Sequence, residues 1–103
     1  MLGMLVAFSI TPIGTGESVG DLVAETVRIV RASGLPNETN AMFTNVEGEW
    51  DEVMAVIKAC VGAMAQAAPR VSVVVKLDHR PAEPGDRIHR KVESIEQTLL
   101  TED

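Results

Sequence analysis

The sequence predicts an α+β sandwich in which the order β–α–β–β–α–β is followed by one more helix. Three observations carry that prediction. Two β-branched runs, MLVAFSIT at residues 4–11 and VSVVVKL at 71–77, read as strands near the two ends of the chain. Two stretches with apolar residues at helical spacing lie between those runs. A turn-rich stretch between the two helices has room for two further short strands. The pattern is that of a ferredoxin-like βαββαβ sandwich: a four-stranded antiparallel sheet, two helices on one face and a C-terminal helix, as one domain over residues 1–103.

In the first strand Val6, Phe8 and Ile10 alternate with Ala7, Ser9 and Thr11, and Pro12 is expected to end the ladder. Ser18 is a good N-cap for a helix over 19–33, with Asp21 in the capping-box position. Leu22, Val23, Thr26, Val27 and Val30 form its apolar stripe, and Gly34 suits its left-handed end. Residues 36–47 read as two extended pieces or one bent hairpin, with turn residues at Asn37, Asn40, Asn45 and Gly48. A second helix over 50–67 carries Trp50, Val53, Ile57, Cys60, Val61 and Met64 at helical spacing and stops before Pro69. After the last strand and the turn HRPAEPGD, Asp86 is placed to cap a helix in which Ile88, Val92, Ile95 and Leu99 recur. The strands are apolar on both faces. The sheet face without helices is therefore expected to meet another subunit, with Ser72, Val74 and Lys76 on that face.

Composition narrows the function. The net charge is −6, and Phe8, Phe43 and Trp50 are the aromatic residues, which argues against nucleic acid or an anionic membrane as partner. One cysteine rules out an internal disulfide and suits a reducing cytoplasm. The start, MLGMLVAFSITPIG, lacks the basic region and cleavage site of a signal peptide and is too short to cross a bilayer, so it reads as a buried strand.

The stretch ITPIGTGESVGDL joins a strand to a helix with glycines at 14, 16 and 20, but no lysine follows and the surrounding order is not the parallel nucleotide-binding kind. By default it is a plain strand-to-helix turn, although the free N–H groups at the start of the helix, with the hydroxyls of Thr11, Thr15 and Ser18, could receive a polar ligand group or an anion. His79 and His89 have only loop acids around them, so no metal site is expected. Cys60 lies on an apolar stripe and reads as an inert thiol. No nucleophile–base set can be assembled, which predicts a protein that is not an enzyme. Arg90 and Lys91, with Glu93 and Glu96, read as a solvated helix face. Asn40, Met42, Thr44 and Glu47 fit a hydrated edge hairpin and a pocket wall equally well.

Several segments together resemble the small thiamine-binding protein family related to YkoF. They are SITPIGTGESVGDLVAETVRIVRASGLP, MFTNVEGEWDEVMAVIKAC, PRVSVVVKLDHR and KVESI. The matching positions are Ser9, Pro12, Gly14, Thr15 and Ser18, then Thr44, Glu47, Gly48 and Glu49, then Lys76, Asp78 and Arg80. The resemblance implies a ferredoxin-like fold, a homotetramer built as a dimer of dimers, and no required cofactor. It implies thiamine or its hydroxymethylpyrimidine moiety as ligand, held without catalysis by a cytoplasmic carrier or sensor. In that reading Glu47 accepts from the exocyclic amine, Thr44 and Ser9 are hydroxyl partners, Met42 and Asn40 form the wall, and Thr11, Thr15 and Ser18 line the mouth. The alternative is an oligomeric regulatory or structural module with a vestigial pocket.

Overall fold

Strand alternation sorts the first residues of the chain onto two faces, and the rest of the fold follows from that sorting. A computed structural model describes residues 3–15, 19–82 and 85–102. β1 (Met4–Ile13) lies between two antiparallel neighbours: β3 (Thr44–Gly48), from Met4 opposite Gly48 to Phe8 opposite Thr44, and β4 (Arg70–His79), from Met4 opposite His79 to Ile13 opposite Arg70. β2 (Asn37–Thr39) pairs with the outer side of β3, giving the order β2-β3-β1-β4. Met4, Val6 and Phe8 of β1 and Val46 of β3 point to one face. There they pack against Val30 of α1 (Val19–Ala32) and Val53, Ile57 and Cys60 of α2 (Trp50–Ala65). The fold is the ferredoxin-like α+β sandwich that the sequence predicts.

Differences lie mostly at element ends. Pro12 does not end β1. The strand runs on to Ile13, and Gly14 breaks it at φ 85°. Beyond Phe8 the strand has lost its β3 neighbour, and such an edge is where a proline without N–H is tolerated. Trp50 stands half-exposed at the start of α2, outside the buried stripe, with its ring edge-on to His79 at 6.0 Å. Ser18, the expected cap of α1, lies outside the described residues.

α3 (Arg87–Leu100) begins on the other sheet face. Asp86 occupies its N-cap position in a left-handed conformation (φ 68°), and its side chain does not cap the helix. Its Oδ1 meets His89 Nδ1 at 2.8 Å instead. From there the helix leaves the body of the protein with Val92, Ile95 and Leu99 exposed. The Cα radius of gyration is 15.5 Å. A compact chain of this length would have roughly 13 Å.

Candidate functional site

The register creates the cavity. β3 stops at Thr44 while β1 continues past Phe8, so a notch opens between the exposed edge of β1, the 39–43 turn and α1. The space has a volume of about 190 Å³. Phe8, Ile10 and Phe43 supply apolar surface from the sheet side and Val23 and Val27 from the helix, with Thr44 at the closed end. The turn that forms one wall is held by Asn40. Its Oδ1 accepts the N–H groups of Met42 and Phe43, both at 2.9 Å, and its own N–H donates to Phe43 O at 2.9 Å. This arrangement is the side-chain mimicry of a turn for which asparagine is suited. Met42 is 73% exposed at the lip.

Four of the eight residues singled out from the sequence line this cavity: Ser9, Asn40, Met42 and Thr44. Ser9 reaches it at the strand edge, since alternation sends its side chain, with that of Thr11, to the opposite face from Phe8 and Ile10. Thr11 and Thr15 are described and are not among the lining residues; Ser18 lies outside the described residues. α1 contributes a wall that the sequence does not announce. Val23 and Val27 read as core in the sequence, yet Val23 is left exposed by the packed structure, and that unburied length of stripe is what builds the wall.

Glu47 is placed elsewhere. Thr44, Val46 and Gly48 face the helices, so Glu47 points to the other face, where α3 begins and encloses it completely. Its Oε1 accepts the Arg87 N–H at 2.9 Å, and its Oε2 has no hydrogen-bond partner among the described residues. The Arg87 side chain, 2% exposed, donates from Nη1 to the carbonyls of Gly3 and Asp78, both at 3.1 Å, and from Nη2 to Asp78 Oδ2. Lys91 Nζ lies 3.4 Å from the same Asp78 oxygen. Partial burial works to raise the Asp78 carboxyl, but the charges and hydrogen bonds of Arg87 and Lys91 outweigh it and hold the group below the usual carboxylate range. A carboxylate for the cavity is therefore not supplied by Glu47 of the same chain.

Cys60 has a structural place. Cys60 is buried, its Sγ 3.7 Å from the Thr26 carbonyl, and burial pushes the thiol up to about 11. Among the described residues no group of three or more His, Cys, Asp or Glu side chains is placed to hold a metal ion. Among the same residues no helix is long and apolar enough to cross a membrane.

Comparison with known proteins agrees with this architecture. The chain is 54% identical over 100 residues to the UPF0045 protein Mb1933 of Mycobacterium bovis, covering 96% of this chain and 97% of that protein. The crystal structure of the hypothetical protein MJ1052 of Methanocaldococcus jannaschii superposes with a TM-score of 0.79 at 33% identity, over 91% of this chain and 97% of that one. A Thermotoga maritima protein described as a candidate thiamine biosynthesis/salvage protein, TM0486, has the same fold. It superposes at TM-score 0.77 and 21% identity, over 89% of this chain and 97% of that one. The sequence profile of the thiamine-binding proteins matches residues 6–96, and the chain belongs to that family.

Proposed function

We propose that this protein binds thiamine or its hydroxymethylpyrimidine moiety without catalysis, as a cytoplasmic carrier or sensor, in the cavity between β1, the 39–43 turn and α1. The observation that carries the reading is the cavity itself, apolar on two sides with a buried threonine at its end. A flat aminopyrimidine would lie against Phe8, Val27 and Phe43, with the Thr44 hydroxyl and the exposed backbone edge at Ser9 as hydrogen-bond partners. Asn40 and Met42 would fix the wall, and Thr11, Thr15 and Ser18 would serve the approach. The volume of about 190 Å³ is below the roughly 300–1,000 Å³ of sites for drug-sized ligands, which favours a single ring over both rings of thiamine. Family membership and the description of the T. maritima protein support the choice of ligand class.

The active assembly in this proposal is a homotetramer, a dimer of dimers, with the helix-free sheet face and the α3 stripe as the surfaces between subunits. Calorimetric titration with hydroxymethylpyrimidine and with thiamine tests the binding. The pyrimidine should give saturable heat, and Thr44→Val should weaken it by about 1 kcal/mol, the net worth of one neutral hydrogen bond. Folded protein that evolves no heat with either compound at millimolar concentration, or a Thr44→Val variant that binds like the parent, would refute the assignment.

A further inference from the structure

We propose that the free edge of β4 docks β4 of a second copy of this chain, antiparallel across a two-fold axis, so that the two sheets become continuous. β4 ends the order β2-β3-β1-β4, and among the described residues no strand lies beyond it. It is ten residues long, whereas β2 at the opposite edge has three. Between Arg70 and His79 it carries four valines and a leucine, yet none of them belongs to the buried core, which is drawn from β1, β3, α1 and α2. Val74, Val75 and Leu77 stay exposed instead. Such a strand is favoured by packing against neighbours, and on its outer flank the neighbours are missing.

The edge also lacks devices that keep an open strand from pairing. No proline interrupts it, and it pairs with β1 residue for residue from Ile13 opposite Arg70 to Met4 opposite His79, without a bulge. The ladder shows which groups remain on offer. The Arg80 N–H donates to Gly3 O at 2.7 Å, so the even-numbered residues of β4 turn their N–H and C=O towards β1. Val71, Val73, Val75 and Leu77 turn theirs outward. The same alternation accounts for Pro12: it stands opposite Val71, and its nitrogen faces the side that β3 has left.

Charge selects both the occupant and the register. Pairing centred on Val74 sets Val73 opposite Val75 and Val71 opposite Leu77, so the outward groups of one copy meet those of the other. These side chains share the face of Val6 and Phe8, and the helices of both copies stay on one side. On the other face Arg70 of each copy comes opposite Asp78 of the other, and Ser72 opposite Lys76. Arg87 and Lys91 both bond Asp78 Oδ2, which leaves Oδ1 for Arg70, itself without an ion-pair partner among the described residues. Centring on Val73 would set Arg70 against Lys76, and centring on Val75 would set it against Arg80. The contact is made by the strand's edge, not by the helix-free face or the α3 stripe, so it holds or fails separately from those surfaces.

The test combines amide hydrogen exchange with light scattering on the whole protein. In the parent the amides of Val71, Val75 and Leu77 should exchange slowly, although no strand of their own chain bonds them. Val73→Pro removes one outward N–H and no bond to β1. It should make those amides exchange fast and lower the assembly mass roughly twofold, with circular dichroism unchanged. Fast exchange of these amides in the parent overturns the proposal, as does slow exchange in a parent that scatters as one chain. A Val73→Pro variant that keeps the parent's mass and its slow amides overturns it too. Should that variant fail to fold, Arg70→Glu carries the test by setting like charges opposite each other. Its dissociation constant at low salt should rise roughly fivefold, and an unchanged constant overturns the proposal.

Discussion

Arg87 does three things at once. Its backbone N–H answers a buried carboxylate, its side chain ties the two ends of β1 and β4 together, and its charge is held against Asp78. Each of these bonds has a charged partner or lies out of water, where a missing partner leaves a desolvated group exposed to no compensation. Arg87→Ala should therefore lower stability by about 3 kcal/mol, read as a shift of the urea midpoint at unchanged slope. Arg87→Lys should recover only part of the loss, because an ammonium cannot reach two carbonyls and a carboxylate in one plane. A midpoint unchanged in the alanine variant would show that the network carries no net stability.

At the scale of elements, the start of α3 holds a pH-sensitive contact. The hydrogen bond and charge of Asp86 raise the His89 pKa above its ordinary value; slight desolvation opposes this, and Glu38 and Glu93 add to the rise. A group raised on folding contributes stability that is complete below its unfolded pKa of about 6.5 and is lost as pH climbs through the folded value. Proton NMR of the His89 ring should thus titrate above 6.5, and Asp86→Asn should bring it back towards that figure. A parent ring titrating at or below 6.5 would contradict the geometry. Because the ring is exposed, the effect belongs to the fraying of the first turn and not to the whole fold. Much else at this scale was legible beforehand. Alternation in 4–11 and 71–77 and the helical spacing around Val30 and Ile57 fixed strands, helices and core face, since burial writes its period directly into the sequence. The cavity was half legible, because Asn40, Met42 and Thr44 carry turn and pocket chemistry in their own side chains. Its helical wall was not, because Val23 and Val27 look the same whether they face core or cavity. Glu47 was misplaced for a related reason. One residue of register separates the two faces of β3, and a carboxylate in a strand gives no sign of which neighbour will satisfy it.

The whole molecule leaves more apolar surface uncovered than a chain of this size needs to. Val92, Ile95 and Leu99 stand 57%, 60% and 54% exposed along one side of α3, and Val74, opposite Ser9, is 59% exposed on the helix-free sheet face. A 14-residue helix is about 21 Å long, so α3 projects well beyond the few residues that anchor it at Arg87. Alone in water such an arm is poorly supported, since a helix of this length depends on burying its apolar side. A second copy can supply that burial symmetrically, arm against sheet face, which is how a single self-complementary patch closes a dimer. The proposed assembly follows: the parent protein should scatter light as a multiple of its 11.0 kDa chain at micromolar concentration. Val92→Glu combined with Ile95→Glu should shift that mass towards the single chain, with the helical circular dichroism of α3 falling as its support is removed. The same substitutions lie outside the cavity, so pyrimidine binding measured on the separated chain decides whether the cavity works alone or only when the arms are docked. A parent that scatters as one chain, with α3 fully helical, would mean that the arm is stable unaided and that the exposed stripe serves some purpose other than self-association.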